Sequence, residues 1–258
     1  LGSDDTLYTI REFVPQTVDA ATLTKAKALF DEKASTFYEL RHGQVSQVYP
    51  LLQVNNETGE QLFFVQEYIE GTSYAKILQP RQRANAHFRE TEISQLLYEL
   101  LPVLSHCHNS GIVHKDICPE NVVLRQSDGA PVLINFGSFQ EIAAAVRAQL
   151  GIEGAGPVVT SVGTAGYVTP EQLAIGKVDH SRDLYGLAAT LLMLATGKDA
   201  KVLHDPSTGT WTGFEHLTPE LGKILKRMLS ARPNEQYSSA DAVLAALSDM
   251  SGDMSGDT

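Results

Sequence analysis

Apolar and polar positions alternate over residues 6–14, "TLYTIREFV", and predict a strand. From Thr22 to Leu40 the period lengthens. Ala26, Phe30, Ala34 and Phe37 recur at helical spacing, with Thr22 placed as a cap and His42-Gly43 as the stop. Residues 48–69 hold two apolar runs around Asn55-Asn56-Glu57-Thr58-Gly59, the pattern of a hairpin. Gly71 breaks that pattern, and helical signals dominate afterwards. Ile93, Leu96, Leu97, Leu100, Leu101 and Leu104 form a broad stripe that ends at Asn109-Ser110-Gly111. Pro102 lies inside this stripe and should kink the helix or displace its start. "NVVLRQ" and "PVLINF" read as strands joined through Ser127-Asp128-Gly129. Residues 138–165, rich in Gly and Ala, predict a long loop. Leu184 to Thr196 is almost wholly apolar but too short to span a bilayer, so it predicts a buried core helix. Leu217–Leu229 and Ser239–Leu247 are amphipathic helices. The organisation expected is a small strand-rich lobe over 1–70, a larger helical lobe over 71–248, and a hinge near 67–72. The repeated Met-Ser-Gly-Asp of 249–258 predicts a flexible tail or linker.

Composition narrows the function classes. The 258 residues suffice for one large domain or two lobes. There are 20 Lys and Arg against 31 Asp and Glu, a net charge of −11. Nucleic-acid backbones demand dense positive charge, so no nucleic-acid partner is expected. The two cysteines, Cys107 and Cys118, form no disulfide framework and suit a reducing, cytoplasmic setting. No apolar run reaches membrane length, so no membrane insertion of this domain is expected. Leu1 to Asp5 reads as a loop, consistent with a chain cut from a longer protein.

Candidate chemistry gathers in "HKDICPEN", 114–121, which places His114, Asp116 and Asn121 on one loop just before a hairpin. An Asp and an Asn five residues apart can face one site, the first toward a hydroxyl and the second toward a cation. The next strand ends at Asn135-Phe136-Gly137. "GTAGYVTPEQ" (163–172) follows, and then Asp183 at the mouth of the apolar helix. His106-Cys107-His108, with His114 and Cys118, raises a zinc reading. Consecutive helical side chains diverge, and no pair has ligand spacing on one face, which argues against it.

In its order of motifs the chain resembles the eukaryotic-like protein kinases, particularly the bacterial Ser/Thr type. "GIVHKDICPENVVL" is similar to the catalytic loop H-R-D-L-K-P-E-N, "INFG" stands where the family has D-F-G, and "GTAGYVTPEQ" matches the segment ending in A-P-E. "DLYGLAATLLMLATGK" resembles the buried helix that follows, and "RMLSARPNEQYSSADAVLAAL" the last helices. The resemblance implies a two-lobed α+β fold and ATP as a possible ligand. Its hinge strand is "LFFVQEYIEG", with Gln66 as gatekeeper and Glu67, Tyr68 and Ile69 as hinge. Phe37 and Phe136 are implied as parts of a hydrophobic spine joining the lobes.

The departures from the family pattern shape the functional expectation. "YTIREF" puts Arg11 where the family has the strand Lys, and "LFDEKAS" puts Lys33 where it has the helix Glu. Those two cations would oppose each other unless Glu32 substitutes. Asn135 replaces the metal-binding Asp, Cys118 the loop Lys, and Gln236 the Arg that would pair with Glu171. Asn121 and Asn135 could ligate a cation only through neutral amides, so Mg²⁺ binding is expected to be weak or absent. Only ten residues precede Arg11, and none form G-x-G-x-x-G. These substitutions imply a pseudokinase: a degenerate member, with Asp116 and Asn121 retained but idle, that binds a partner protein or another domain of its own chain. A weak or atypical ATP-dependent Ser/Thr kinase, or another nucleotide-dependent transferase, is the alternative.

Overall fold

A computed structural model describes residues 7–14, 19–56, 59–152, 180–232 and 234–253. Two large hydrophobic clusters, with a third small one of Ile69, Val123 and Val132, organise the chain. The smaller of the two large clusters is built on a three-stranded antiparallel sheet of β1 (Tyr8–Val14), β2 (Val48–Asn56) and β3 (Gly59–Glu67), in the order β1-β3-β2. Against it packs α1 (Ala20–Glu39). The predicted stripe is the buried face: Leu23, Ala26, Phe30, Ala34 and Phe37 all point inward. The helix starts two residues earlier than expected. Asp19, not Thr22, is the cap, and its carboxylate accepts from the Thr22 amide at 3.0 Å and the Thr22 hydroxyl at 2.7 Å.

Beyond the hinge, Gly71–Ser73 forms a short strand, β4, that pairs with β5 (Val122–Arg125), itself paired to β6 (Pro131–Leu133). Only glycine fits at 71. A Cβ there would lie 2.3 Å from the Leu124 carbonyl oxygen. Helix α2 (Tyr74–Arg83) leads to α3 (Glu90–Asn109), one continuous helix in which Pro102 is accommodated and every residue of the predicted stripe is buried. The apolar segment is α5 (Ser181–Thr196), buried along its length and stopped by Gly197 in the left-handed conformation at φ +68°. It forms the centre of the larger cluster with α3, α7 (Pro219–Met228) and α8 (Ala240–Asp253). A short α6 (Ala200–Leu203) and a small hairpin, β7 (His204–Asp205) and β8 (Thr210–Trp211), lie between α5 and α7. Helix α8 continues to Asp253, past the boundary at 249 expected for a tail.

The loop expected over 138–165 begins instead as a helix, α4 (Gly137–Gln149). Phe139, Ile142, Ala143 and Val146 share one face, and that face completes the small lobe's core against Phe30, Phe64 and α1. Residues 153–165 of that segment lie outside the described residues. The lobes are also tied by the stretch 44–46, where the Ser46 amide donates to the Leu133 carbonyl at 3.0 Å and the Leu133 amide to the Gln44 carbonyl at 2.9 Å.

Candidate active site

The loop 114–121 is held from beneath by one buried carboxylate. Asp183, on the first turn of α5, accepts from the backbone amides of His114 (2.8 Å) and Lys115 (2.7 Å) and from His108 Nε2 (2.8 Å). Burial alone would raise the Asp183 pKa. The His108 hydrogen bond and charge, with the backbone donors, hold it below the ordinary value. The His114 ring is fixed as well: its Nδ1 accepts from the Asp116 amide (3.2 Å), so Nε2 carries the proton and donates to the Ile134 carbonyl (3.1 Å). Burial lowers the His114 pKa, in keeping with a ring locked neutral.

This scaffold brings Asp116, Asn121 and Asn135 together. Asn121 Nδ2 donates to the Asp116 carboxylate at 2.7 Å and to its carbonyl at 2.8 Å. Asn135 Nδ2 donates to Asn121 Oδ1 at 3.1 Å. Arg11 reaches from β1 and donates through its guanidinium to Asn135 Oδ1. Two residues around this site adopt positive φ, Lys115 (+68°) and Asn135 (+60°). Asn tolerates that region better than most residues, which helps explain how the turn after β6 is held.

The expected opposition of Arg11 and Lys33 does not occur. Arg11 lines the cleft beneath β1 and β3, and its hydrogen-bond partner is Asn135 rather than Glu32. Lys33 lines a separate groove between α1 and α4, beside the ion pair of Lys115 and Glu141. Cys118 is buried in the large core, and burial pushes its thiol up to about 12, so it presents no charge to the site. Gln236 donates to the Ser230 carbonyl at 2.6 Å, while Glu171, its expected partner, lies outside the described residues, as does 163–172. His106 sits against His42, Cys107 is in the core and His108 is bound to Asp183. Among the described residues no group of three or more His, Cys, Asp or Glu could hold a metal ion.

Around the hinge, Gln66 lines the cleft with a buried Nε2 that has no hydrogen-bond partner among the described residues. The Glu67 carbonyl accepts from the Ser46 hydroxyl (2.7 Å), and its carboxylate from the Gln47 amide (3.1 Å). Tyr68 is exposed, and Ile69 packs with Val123 and Val132. The spine implied for Phe37 and Phe136 is assembled. Ring centroids run 4.3 Å from His114 to Phe136, 5.8 Å to Phe37, 5.5 Å to Phe139 and 5.0 Å to Phe30. Sequence reasoning missed Phe139, whose helical spacing with Ile142, Ala143 and Val146 was the available signal.

A hard divalent cation prefers a shell rich in anionic oxygens. Here one carboxylate is joined by two neutral amides. Asn121 Oδ1 already faces Asn135 Nδ2, and Asn135 Oδ1 faces a guanidinium. These residues do not fit such a cation. The part of the cleft lined by Arg11, Gln66, Asn135 and Phe136 has a volume of about 120 Å³. Phe139 and Gln140 of α4 line it and take up part of its space.

Two lobes joined at a hinge strand, with an Asp–Asn pair held by a buried helix carboxylate, define a protein-kinase-like domain. The family comparison agrees: the protein kinase domain family matches residues 16–247. Serine/threonine-protein kinase B of Synechocystis sp. is 33% identical over 242 residues, 92% of this chain and 41% of that protein. Serine/threonine-protein kinase C of the same organism is 34% identical, over 84% of this chain and 40% of that protein. Serine/threonine-protein kinase-like protein E is 31% identical over 81% of this chain and 28% of that protein. The Mycobacterium tuberculosis PknI kinase domain superposes with a TM-score of 0.61 at 20% identity, covering 94% of this chain and 85% of that structure. The chain belongs to the protein kinase family. It spans less than half the length of these curated relatives.

Proposed function

We propose that this chain is a kinase-family domain impaired in phosphoryl transfer, acting as a regulatory or protein-interaction module. One observation carries the reading. The Arg11 guanidinium is bonded to the Asn135 amide at the position where the family's metal-binding acid would stand. Phosphoryl transfer rests on positioning and on neutralising charge spread over the γ-phosphoryl oxygens. In this chain the group standing nearest that role is a cation already engaged by Asn135, and the loop cation is replaced by a buried neutral thiol. Asp116 is bonded by Asn121, consistent with a carboxylate that braces its own loop. The partner is a protein or another domain of the same chain, in a cytoplasmic setting. That setting fits two buried free cysteines and the absence, among the described residues, of any helix long and apolar enough to cross a membrane.

The second reading is an ATP-dependent Ser/Thr kinase. It is favoured by the names of relatives at 33–34% identity and by the kept Asp116–Asn121 pair. Radiolabelled phosphate transfer to self and to generic protein substrates, with Mg²⁺ and with Mn²⁺, separates the two. The first expects no transfer above a protein-free blank, and no metal-dependent rise in melting temperature with ATP. Robust turnover abolished by Asp116→Ala would overturn it and establish the second.

A further inference from the structure

The β7–β8 hairpin and α7 enclose a groove of about 460 Å³ that shares no lining residue with the cleft. Its apolar surface comes from Trp211, Phe214 and Leu229. Trp211 is held rigidly: its Nε1–H donates to the Tyr185 hydroxyl at 3.1 Å, and its ring stacks on His204 at 4.8 Å. The rim is cationic. Lys226 Nζ lies 4.9 Å over the Phe214 ring, and the Arg227 guanidinium lies 4.2 Å over Tyr237. Arg227 uses Nε to donate to the Glu235 carbonyl (3.1 Å), and its terminal nitrogens make no hydrogen bond to a described residue. The one acid of the lining, Glu235, is neutralised by Arg232 at 2.7 Å and bonded by Ser230 at 3.0 Å. The groove is therefore net positive on a chain whose overall charge is −11.

We propose that this groove docks an acidic protein segment carrying one bulky apolar side chain. The apolar side chain seats against Trp211 and Phe214, and flanking carboxylates meet Lys226 and Arg227. Aromatic and arginine side chains are the types that concentrate binding energy at interfaces. The charge balance names the occupant. An acidic segment is repelled by most of this surface and attracted here, which fixes where it lands. A nucleic-acid strand would need a longer run of cations than this rim supplies. The proposal concerns a surface separate from Arg11, Asn135 and Asp116 and holds whichever of the two functional readings applies.

The test uses the full chain and a fluorescein-labelled peptide of Glu and Asp around a single central Leu, followed by fluorescence anisotropy. Binding is expected at low salt, weakened roughly tenfold in about 0.5 M salt. Lys226→Glu, whose side chain is exposed, is expected to weaken it roughly tenfold. Ala231→Phe, which fills the groove from its exposed rim, is the second variant and should do the same without changing charge. Replacing the central Leu of the peptide by Ala should also weaken binding. The proposal is overturned if the peptide fails to bind, if both variants bind it unchanged, or if a thymidine oligonucleotide competes as well as the peptide. Nucleotide-dependent melting shifts, measured alongside, should be the same in both variants, which keeps a failure here distinct from a failure at the cleft.

Discussion

Phe139→Ala tests whether α4 is an integral part of the small lobe. The ring makes three aromatic contacts, with Phe30 at 5.0 Å, Phe64 at 5.3 Å and Phe37 at 5.5 Å. Each such pair contributes about 0.5–1.5 kcal/mol beyond area burial. A fully buried Phe→Ala change costs about 3–5 kcal/mol. Phe139 is only partly buried, so the full-burial range is discounted and a loss of about 2–3 kcal/mol is expected. For a chain of this size that corresponds to a fall of roughly 4–12 °C in melting temperature. Urea unfolding followed by circular dichroism gives the free energy, and amide hydrogen exchange over 137–149 gives the local effect. Exchange in α4 should rise more than in α3, because α3 belongs to the other core. Phe139→Leu, which keeps most of the apolar area, should lose about half as much. A loss under about 1 kcal/mol, or unchanged exchange in α4, would refute the idea that this ring clamps the helix to the lobe.

Two further outcomes follow from the scaffold beneath the site. Asp183→Asn turns one carboxylate oxygen into an amide donor facing His108 Nε2, the His114 amide or the Lys115 amide. Each buried donor left unsatisfied costs about 1–3 kcal/mol, so the urea midpoint should drop by the equivalent of about 2 kcal/mol or more. The second concerns pH. His114 has a folded pKa below its ordinary 6.5, so the unfolded chain binds its proton first. Its contribution to stability is complete above pH 6.5 and is lost as the pH falls through the window beneath it. Urea midpoints taken from pH 7.5 down to 5 should decline, and His114→Gln should flatten that decline.

Much of the fold was legible because burial enforces period. The stripe from Ile93 to Leu104 must face a core, and it does so through Pro102 without a break in α3. The same holds for Phe30 and Phe37 on α1. Helix α4 was hidden by composition. Gly and Ala over 138–165 suggested a loop, yet four apolar residues at helical spacing within it suffice when another lobe's core stands ready to receive them. The cap moved to Asp19 because a carboxylate three residues before a free amide competes with a Thr inside the first turn. At the site, motif order identified the loop and the strand that bring Asp116, Asn121 and Asn135 together. What local pattern cannot convey is a contact across 124 positions of chain. Arg11 was expected to oppose Lys33 unless Glu32 substituted, and it was a candidate for nucleotide phosphate; in space its partner is the amide of Asn135.

That contact couples two positions far apart in the chain. Asn135→Asp, the obvious single step toward a metal-binding acid, would first hand the Arg11 guanidinium a carboxylate. Guanidinium and carboxylate form strong, directional pairs, and the pair would draw β1 toward the turn after β6 rather than leave oxygens open to a cation. Arg11→Lys would replace the planar fork by a compact charge and weaken the contact to the Asn135 amide. The Arg11–Asn135 contact therefore ties the two positions together, so that a substitution at either one changes the charge partner of the other.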